Sequence, residues 1–561
     1  MPEIVTRTRD PVAFETLIAA SVDPRMARVY AARGIAASHD LNHNLSALLS
    51  PDKLQSVKLA AIMLADAIQA GKRLLIVADY DADGATACAV GMRALHAMGA
   101  KVDYIVPNRF EFGYGLTPEI VALAATRSPD IIITVDNGIA SVDGVAEANR
   151  RGIQVLVTDH HLPGQALPDA AVIVNPNQFG DNFASKNLAG VGVIFYTMSA
   201  LRAELRSRNY FVGKSVPNLA NLLDLVALGT VADVVRLDHN NRVLVEQGLA
   251  RIRAGHLSIG IRALMKIAGR DPHRASTYDL GFVVGPRLNS AGRLDDMSLG
   301  IACLLADDEH IATRFAAELD ALNRERRSIE STMRDAAMAS LENVDVGTRY
   351  ALSLYDSSWH QGVVGILASR LREKYHRPVI AFARDGQGNL KGSGRSINGF
   401  HLRDALDLVT KRHPLLVSKF GGHAMAAGLT IAEAAMGDFA NAFDAVAREL
   451  LTPADLAERI ETDGALDANE LTFDFARGID EQVWGQGFSA PSFTGRFRVL
   501  DQRVVGEKHL KLQLSMGSTT FEAMRFGSAE SLSASIDAVF RPSINEFRGN
   551  ATLQLVLDYV A

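Results

Sequence analysis

Cysteine is nearly missing. The 561 residues hold two, Cys88 and Cys303, too far apart in sequence for a disulfide framework and too few for a thiolate cluster around structural zinc. A reducing compartment is expected. No stretch approaches the roughly 18 consecutive apolar residues of a membrane span, and Met1 to Asp10 is polar and charged, without the apolar core of a signal segment. These absences lead to the expectation of a cytoplasmic protein with no membrane partner. Positive charge is not in excess either, since 58 Lys and Arg against 64 Asp and Glu leave a net charge of -6. Any nucleic acid must therefore be met by a local basic face. A Walker A loop is lacking, because Gly213-Lys214-Ser215 has no upstream glycine at the required spacing, so ATP hydrolysis is not indicated. What is present is 48% hydrophobic and 22% charged, an ordinary globular composition with room for roughly three or four domains.

The most informative stretch is Leu74-Leu75-Ile76-Val77-Ala78-Asp79-Tyr80-Asp81-Ala82-Asp83-Gly84-Ala85-Thr86, an apolar run that stops in three carboxylates spaced two apart. Leu, Ile and Val without alternation suit a strand buried on both faces, and Ala85 to Met98 reads as the helix packing back over it. The acids then sit at the carboxyl end of a parallel strand, where open α/β sheets bind ligands. Crowded there, they repel one another unless a cation is present. By itself the stretch fits a metal site or an Asp-rich turn.

The pattern repeats. Asp130 to Val135 reads as a buried strand ending in Asp136-Asn137-Gly138, Ile153 to Val157 as one ending in Thr158-Asp159-His160-His161, and Val172 to Val174 as another. A further apolar segment, Leu222 to Leu228, ends in Gly229-Thr230-Val231-Ala232-Asp233. Several acids with one or two imidazoles and no thiolate suit Mn²⁺ or Mg²⁺ better than Fe or Zn, and so many carboxylates imply two ions. Such a pair can lower the pKa of a water and neutralise charge on a phosphoryl group, which is hydrolysis of a phosphate ester or anhydride. One histidine can ligate as neutral imidazole while the other, protonated, holds a phosphate oxygen. Arg109 and Tyr114, in the glycine- and aromatic-rich segment 107–115, could grip a phosphate and stack a base, or tuck against their own domain.

Together, Asp79-Tyr80-Asp81-Ala82-Asp83-Gly84, Asp136-Asn137-Gly138, Asp159-His160-His161 and Gly229 to Asp233 resemble, in order and spacing, the four motifs of the DHH phosphoesterase superfamily. Within it the chain is most similar to the bacterial 5′-to-3′ single-stranded-DNA exonucleases, over nearly its whole length. The resemblance implies that Asp81, Asp83, Asp136, His160 and Asp233 bind two divalent ions, with Asp136 as the bridge. It also places His161 on the scissile phosphate and Asp159 behind the histidines. Asp79 matches another acid of the metal site, either a ligand or the holder of a water there. No motif member is missing.

The later segments follow the same likeness. Gly285 to Asp295, a polar loop by composition, is similar to a stretch that faces the nucleic-acid path in those exonucleases, which makes Arg287, Asn289 and Arg293 candidate substrate contacts. Glu309 to Leu341 is an unbroken helical pattern, read as a spacer whose charges form a solvated face, or whose Arg324, Arg326 and Arg327 line a groove. A second α/β unit starts at Tyr350, and its Gly392-Ser393-Gly394-Arg395-Ser396 segment, by itself more a hairpin turn than a site, could surround an anion with backbone N–H groups and a guanidinium. The unit resembles a DHHA1 domain, which assigns Ser393 and Arg395, with Arg109, to a 5′-terminal phosphate and makes His423 a phosphate contact. From Phe497 to Val560, five short alternating runs suit a small β-barrel. Arg496, Arg498, Arg503, Lys508 and Lys511 cluster on its first hairpin, a face for single strands if the barrel is an OB-fold.

The expected fold is α/β: a helical extension over 1–45, a parallel-sheet DHH domain over 46–305, a connecting helix over 306–345, a smaller DHHA1 domain over 346–455 and an OB-fold barrel over 456–561. The expected function is metal-dependent 5′-to-3′ exonuclease action on single-stranded DNA, releasing 5′-mononucleotides in DNA repair and recombination. The cofactors are two Mn²⁺ or Mg²⁺ ions. The resemblance adds a single-stranded-DNA-binding protein and a RecQ-type helicase as partners of a monomer. Two alternatives remain: a related phosphodiesterase of short RNA or cyclic dinucleotides, against which the barrel argues, and a non-catalytic nucleic-acid-binding relative, against which the complete ligand set argues.

Overall fold

The chain opens with strand β1 (Glu3–Thr6) and two helices, Pro11–Ala19 and Pro24–Ala31. Each helix has Pro in its first turn and an Asp cap, Asp10 accepting from the Val12 and Ala13 amides and Asp23 from that of Arg25. The structure, a computed structural model, describes residues 2–112, 114–341, 346–385, 388–547 and 550–561. It divides into two compact units, Thr6–Ala321 with Thr462–Ala561, and Met1–Val5 with Leu322–Glu461.

The first unit is built on five parallel strands, β2 (Arg73–Ala78), β3 (Lys101–Ile105), β4 (Ile131–Val135), β5 (Gln154–Thr158) and β6 (Val172–Val174), in the order β3-β2-β4-β5-β6. Leu74 to Ala78 and all of β4 are buried, which explains the absence of alternation. After β2 the chain goes to one side and returns to the other, so the crevice between β2 and β4 is a topological switch point. The helix after β2 spans Ala82–Ala97, three residues earlier than the sequence pattern predicts. Asp81 is its cap, accepting from the Gly84 amide at 3.0 Å, and Asp83 is in its first turn, so the acids do not share one loop.

Two further expectations change. Residues 285 to 295 are not a polar loop: Gly285–Leu294 is a helix, entered through a π-helical turn, Asp279–Val284. Its glycines, read from sequence as punctuation, serve close packing, since a Cβ at Gly292 would lie 1.8 Å from the Tyr80 carbonyl oxygen. The long helix runs over Glu309–Leu341, as expected, but not every charge on it is solvated. Arg326 is buried, with Nη1 2.7 Å from Glu330 and Nη2 on the Asn323 amide oxygen.

The second unit holds a mixed sheet in which β7 (Leu352–Tyr355) and β8 (Val379–Arg384) are parallel. Strands β9 (Asn389–Arg395), β10 (Lys419–Gly422) and β11 (Ala426–Ala432) complete the order β10-β11-β9-β8-β7. One face packs on Phe439 and Phe443, the other on Val363, Leu367 and Leu371. Strand β12 (Arg459–Thr462) pairs with β1.

The last strands, β13 (Phe493–Val505), β14 (His509–Met516), β15 (Thr519–Arg525), β16 (Ser535–Phe547) and β17 (Asn550–Val560), form a closed barrel in the first unit, as the alternation predicts. Phe493, Phe497, Leu514 and Phe540 fill it. Strand β16 continues past the expected Ala538 to Phe540, through Pro542, because beyond Phe540 it pairs with β17 alone and a missing N–H is tolerated on the free side.

The amino-terminal helices are bolted to the segment that leads into this barrel. Tyr30 stacks with Trp484 and Phe488, and fully buried Asp463 takes Arg33 at 2.6 Å and 3.0 Å, Arg7 at 3.3 Å and the Ser492 amide at 3.1 Å. Removing one partner strands two guanidinium groups, so Asp463→Ala should cost about 3–5 kcal/mol in chemical denaturation. A loss below about 1 kcal/mol would show that this junction does not hold the unit together.

Candidate metal centre

Strand register brings the site together. Ala78 pairs with Val135, Val135 with Thr158 and Thr158 with Val174, so the next residues, Asp79, Asp136, Asp159 and Asn175, emerge side by side at the carboxyl edge. All four are buried. Asp136 turns sharply there with φ +63°, a conformation that Asp tolerates better than most residues, and Gly138 follows at φ +114°. A Cβ on Gly138 would meet Thr134 Oγ1 at 2.5 Å. Between them Asn137 donates from Nδ2 to the carbonyls of Val77 and Val135, tying the ends of β2 and β4.

Asp83 comes from the helix after β2. Its two oxygens accept from the amides of Gly190 at 2.6 Å and Val191 at 2.9 Å, the first turn of the helix Gly190–Ser207. Asp233 caps the carboxyl end of the helix Leu223–Ala232, which approaches closely because residue 229 is glycine: a Cβ there would be 2.2 Å from Thr86 Oγ1 and 2.9 Å from Asp83 Oδ1.

The histidines are held from behind. Asp159 Oδ1 accepts from His161 Nδ1 at 2.7 Å and from the amides of His160 and His161, while Oδ2 takes the Ile139 amide. Asn175 and Asn177 bind the carbonyls of His161 and His160. Burial disfavours charge on His161, but Asp159 overrides it and lifts this histidine to about 9, a cation at neutral pH. Burial pushes Asp159 up, yet the His161 hydrogen bond and the neighbouring imidazoles hold it below the usual carboxylate range. His160 moves the other way, lowered by burial towards the neutral ring that a metal requires.

Among the described residues, three groups of side chains place one ligand atom each within 4.8 Å of one another: Asp79, Asp81 and Asp136; Asp83, His160 and Asp233; and Asp136, His160 and His161. Burial and mutual repulsion raise Asp83, Asp136 and Asp233 above the normal carboxylate range. Asp136 Oδ1 and His160 Nε2 are 3.1 Å apart and buried, and neither makes a hydrogen bond. Two lone pairs facing one another so closely fit a shared cation. The oxygen-rich set with one neutral imidazole is the donor chemistry of Mn²⁺ or Mg²⁺.

Other expected contacts stand differently. Tyr114 is no free stacking platform: its hydroxyl lies 3.1 Å from His161 Nδ1 and 3.3 Å from the Asp136 carbonyl oxygen, and its ring is edge-on to His161 and Tyr80. Arg287, expected on the substrate, is buried and committed to Asp320 at 2.8 Å and 3.0 Å and to the Val283 carbonyl. Asn289 accepts from the Ala82 amide at 2.8 Å and so steadies the acidic turn. Arg293 is half-buried at the end of the same helix, and the Arg109 side chain lies outside the described residues.

Ser393, Arg395 and His423 belong to the second unit. Strand β9 is central, paired with β8 and β11, so its ladder uses the glycine amides and no backbone anion cradle forms there. Arg395 instead donates from Nη1 to Ser393 Oγ and to the Gly394 carbonyl, and burial, with Arg372 nearby, lowers it. His423 occupies the β10–β11 turn, its amide on the Ala426 carbonyl.

Sequence reasoning missed Gly190, Val191, Asn137, Asn175 and Asn177. One signal was available: Gly190-Val191-Gly192 opens an apolar helical run, a spacing suited to an anion-holding helix start.

The DHH family N-terminal domain matches residues 73–230, the DHHA1 domain 347–449 and the RecJ OB domain 462–559. The chain is 48% identical over 553 residues to the single-stranded-DNA-specific exonuclease RecJ of Salmonella typhimurium, covering 96% of each, and 47% identical over 555 residues to that of Escherichia coli, again 96% of each. Among solved structures, RecJ from Thermus thermophilus in complex with Mn²⁺ superposes with a TM-score of 0.83 at 29% identity, covering all of this chain and 79% of that one. The same protein with Mg²⁺ gives 0.77 at 28%, covering all of this chain and 78% of that one.

Proposed function

The chain belongs to the RecJ family of single-stranded-DNA-specific exonucleases, and from that membership we propose that it hydrolyses phosphodiester bonds of single-stranded DNA from the 5′ end, releasing 5′-mononucleotides. The observation that carries the reading is the orphaned pair Asp136 Oδ1 and His160 Nε2 inside a ring of four more carboxylates. Two cations would be held, one by Asp83, His160 and Asp233 and the other by Asp79, Asp81 and Asp136, a reading supported by the closeness of their ligand atoms and of Asp136 to His160. When bound, such ions neutralise charge on the phosphoryl oxygens and lower the pKa of a water.

The chain's own residues do the rest. Asp159 fixes the His161 ring and keeps it protonated, so that its other nitrogen donates to a phosphate oxygen, and Tyr114 limits the ring's tilt. The amides of Gly190 and Val191 orient Asp83. Ser393 and Arg395, with Arg109, are assigned to the 5′-terminal phosphate, His423 to a phosphate contact, and the barrel's basic hairpin to the strand. Action as a monomer, loading by a single-stranded-DNA-binding protein and cooperation with a RecQ-type helicase in repair and recombination complete the reading. No described helix is long and apolar enough to cross a membrane.

The test is incubation with Mn²⁺ and 5′- or 3′-labelled single-stranded DNA, duplex DNA, RNA or a cyclic dinucleotide. The 5′ label of single-stranded DNA should leave first, as mononucleotide, and chelation should stop the reaction. Release of the 3′ label first, or equal turnover of the cyclic dinucleotide, would overturn the proposal.

A further inference from the structure

Two large aromatic side chains stand out on the surface of the metal-bearing unit. Tyr278 and Phe282 are 57% and 67% exposed, with ring centroids 5.2 Å apart and an angle of 23° between planes. Phe282 lies in, and Tyr278 immediately precedes, the π-helical turn Asp279–Val284, a local widening that is uncommon and concentrated at functional sites. Its other face is welded in place. Leu280, Val283 and Val284 are buried, and Gly281 and Gly285 pack against the helix that ends in Asp233, where an added Cβ would lie 3.1 Å from Val231 Cγ1 or Ala232 Cβ.

The turn continues directly into the helix whose Asn289 holds the Ala82 amide of the acidic turn. Asn289 lies seven positions after Phe282, roughly 10 Å along a helix. The rings are therefore fixed, through rigid backbone, to two of the segments that carry metal-site carboxylates, the acidic turn and the helix ending in Asp233. Around them lie planar cations. The Arg270 guanidinium is 5.8 Å from the Tyr278 ring, and Arg541 of β16 lies within electrostatic reach of Tyr278. Both are already paired, Arg270 with Asp279 at 3.4 Å and Arg541 with Asp558 at 2.8 Å. The patch thus offers flat π surface with its charge balanced, which suits the face of an unpaired base better than a phosphate.

We propose that the stacked Tyr278–Phe282 pair is a base-stacking platform for the single-stranded DNA substrate, engaging a nucleotide beyond the one being cleaved. The inference rests on the single-strand reading above. It explains why two rings stay exposed on a segment so tightly anchored beneath.

The experiment compares a labelled dinucleotide with a 20-nucleotide single strand, in wild type and in the double variants Tyr278→Ala/Phe282→Ala and Tyr278→Leu/Phe282→Leu. The second variant keeps apolar bulk without the π face, so unfolding and lost stacking are told apart. Expected for both is about 10- to 100-fold weaker binding and higher KM for the 20-mer, with kcat and dinucleotide turnover within about twofold of wild type. The slope of log affinity against log salt should not change, because no phosphate contact is removed. Wild-type affinity for the 20-mer in both variants, or equal losses on both substrates, would overturn the platform. Failure of the wild type to degrade either DNA would instead defeat the parent reading.

Discussion

Asp136→Asn should lower kcat on single-stranded DNA by about a thousandfold or more while leaving affinity for the strand within about threefold, measured in Ca²⁺ to prevent turnover. The substitution isolates charge. Asn accepts the left-handed backbone at φ +63° as readily as Asp, so the turn survives, whereas Ala would add strain and confuse loss of a ligand with loss of structure. Asp136 belongs to two of the three ligand groups, and its Oδ1 is buried with no hydrogen bond. Its carboxylate is held high by burial and by Asp83, Asp81, Asp79 and Asp233 around it, a cost that a bound cation removes. The stacking and phosphate contacts assigned above lie on other residues, which is why binding should survive. Substantial Mn²⁺-dependent cleavage in the variant would remove Asp136 from the shared position.

A single methyl group at residue 190 should be nearly as damaging. In Gly190→Ala the new Cβ would sit 2.6 Å from Asp136 Cβ, which the backbone fixes in place, and 2.7 Å from Asp136 Oδ1. The helix start must then retreat, taking with it the two amides that grip Asp83. We expect about a hundredfold loss of activity at fixed Mn²⁺, partly recovered at high Mn²⁺, and about 1–3 kcal/mol of lost stability. Gly192→Ala is the control two residues on. Its Cβ would meet Leu188 Cδ2 at 2.9 Å, the far end of a side chain that can turn aside, so activity should stay near wild type. Equal behaviour of the two variants would mean that the helix start does not position Asp83.

Both experiments probe one electrostatic arrangement. A helix amino terminus and its amides stabilise Asp83 as an anion, yet burial beside Asp81 and Asp233 drives it the other way and wins. Two histidines side by side are split by their partners: Asp159 makes His161 a cation, and the buried pocket keeps His160 neutral. His161 Nδ1 meets Asp159 Oδ1, while His160 Nε2 faces Asp136 Oδ1 and Asp233 Oδ2.

Much of this was legible in the chain. Apolar runs such as Leu74 to Ala78 and Ile131 to Val135 are too dense to alternate, so they announce buried parallel strands, and the acids that end them announce the edge where a ligand sits. The five-stranded barrel was equally visible in its alternation, and the helix Glu309–Leu341 in the lack of any Pro or Gly. Residues 285 to 294 misled because Gly and Pro weaken a helix locally, while the tertiary need for close approach to Tyr80 rewards them. Arg287 and Arg326 misled for a related reason: whether an arginine meets substrate or solvent, or is spent on Asp320 or Glu330, depends on what the fold packs beside it.

By itself, then, the sequence determined the list of candidate ligands and the kind of sheet that carries them, because strand periodicity and carboxylate chemistry are local properties of the chain. Only the tertiary structure decided the pairing of Val135 with Ala78 and Thr158, the seating of Asp83 on the Gly190 amides and the placing of Tyr278 and Phe282 on an anchored turn. Those depend on strand register and helix docking between residues tens of positions or more apart, set by close packing at glycines whose one-atom side chain carries no signal of its neighbour.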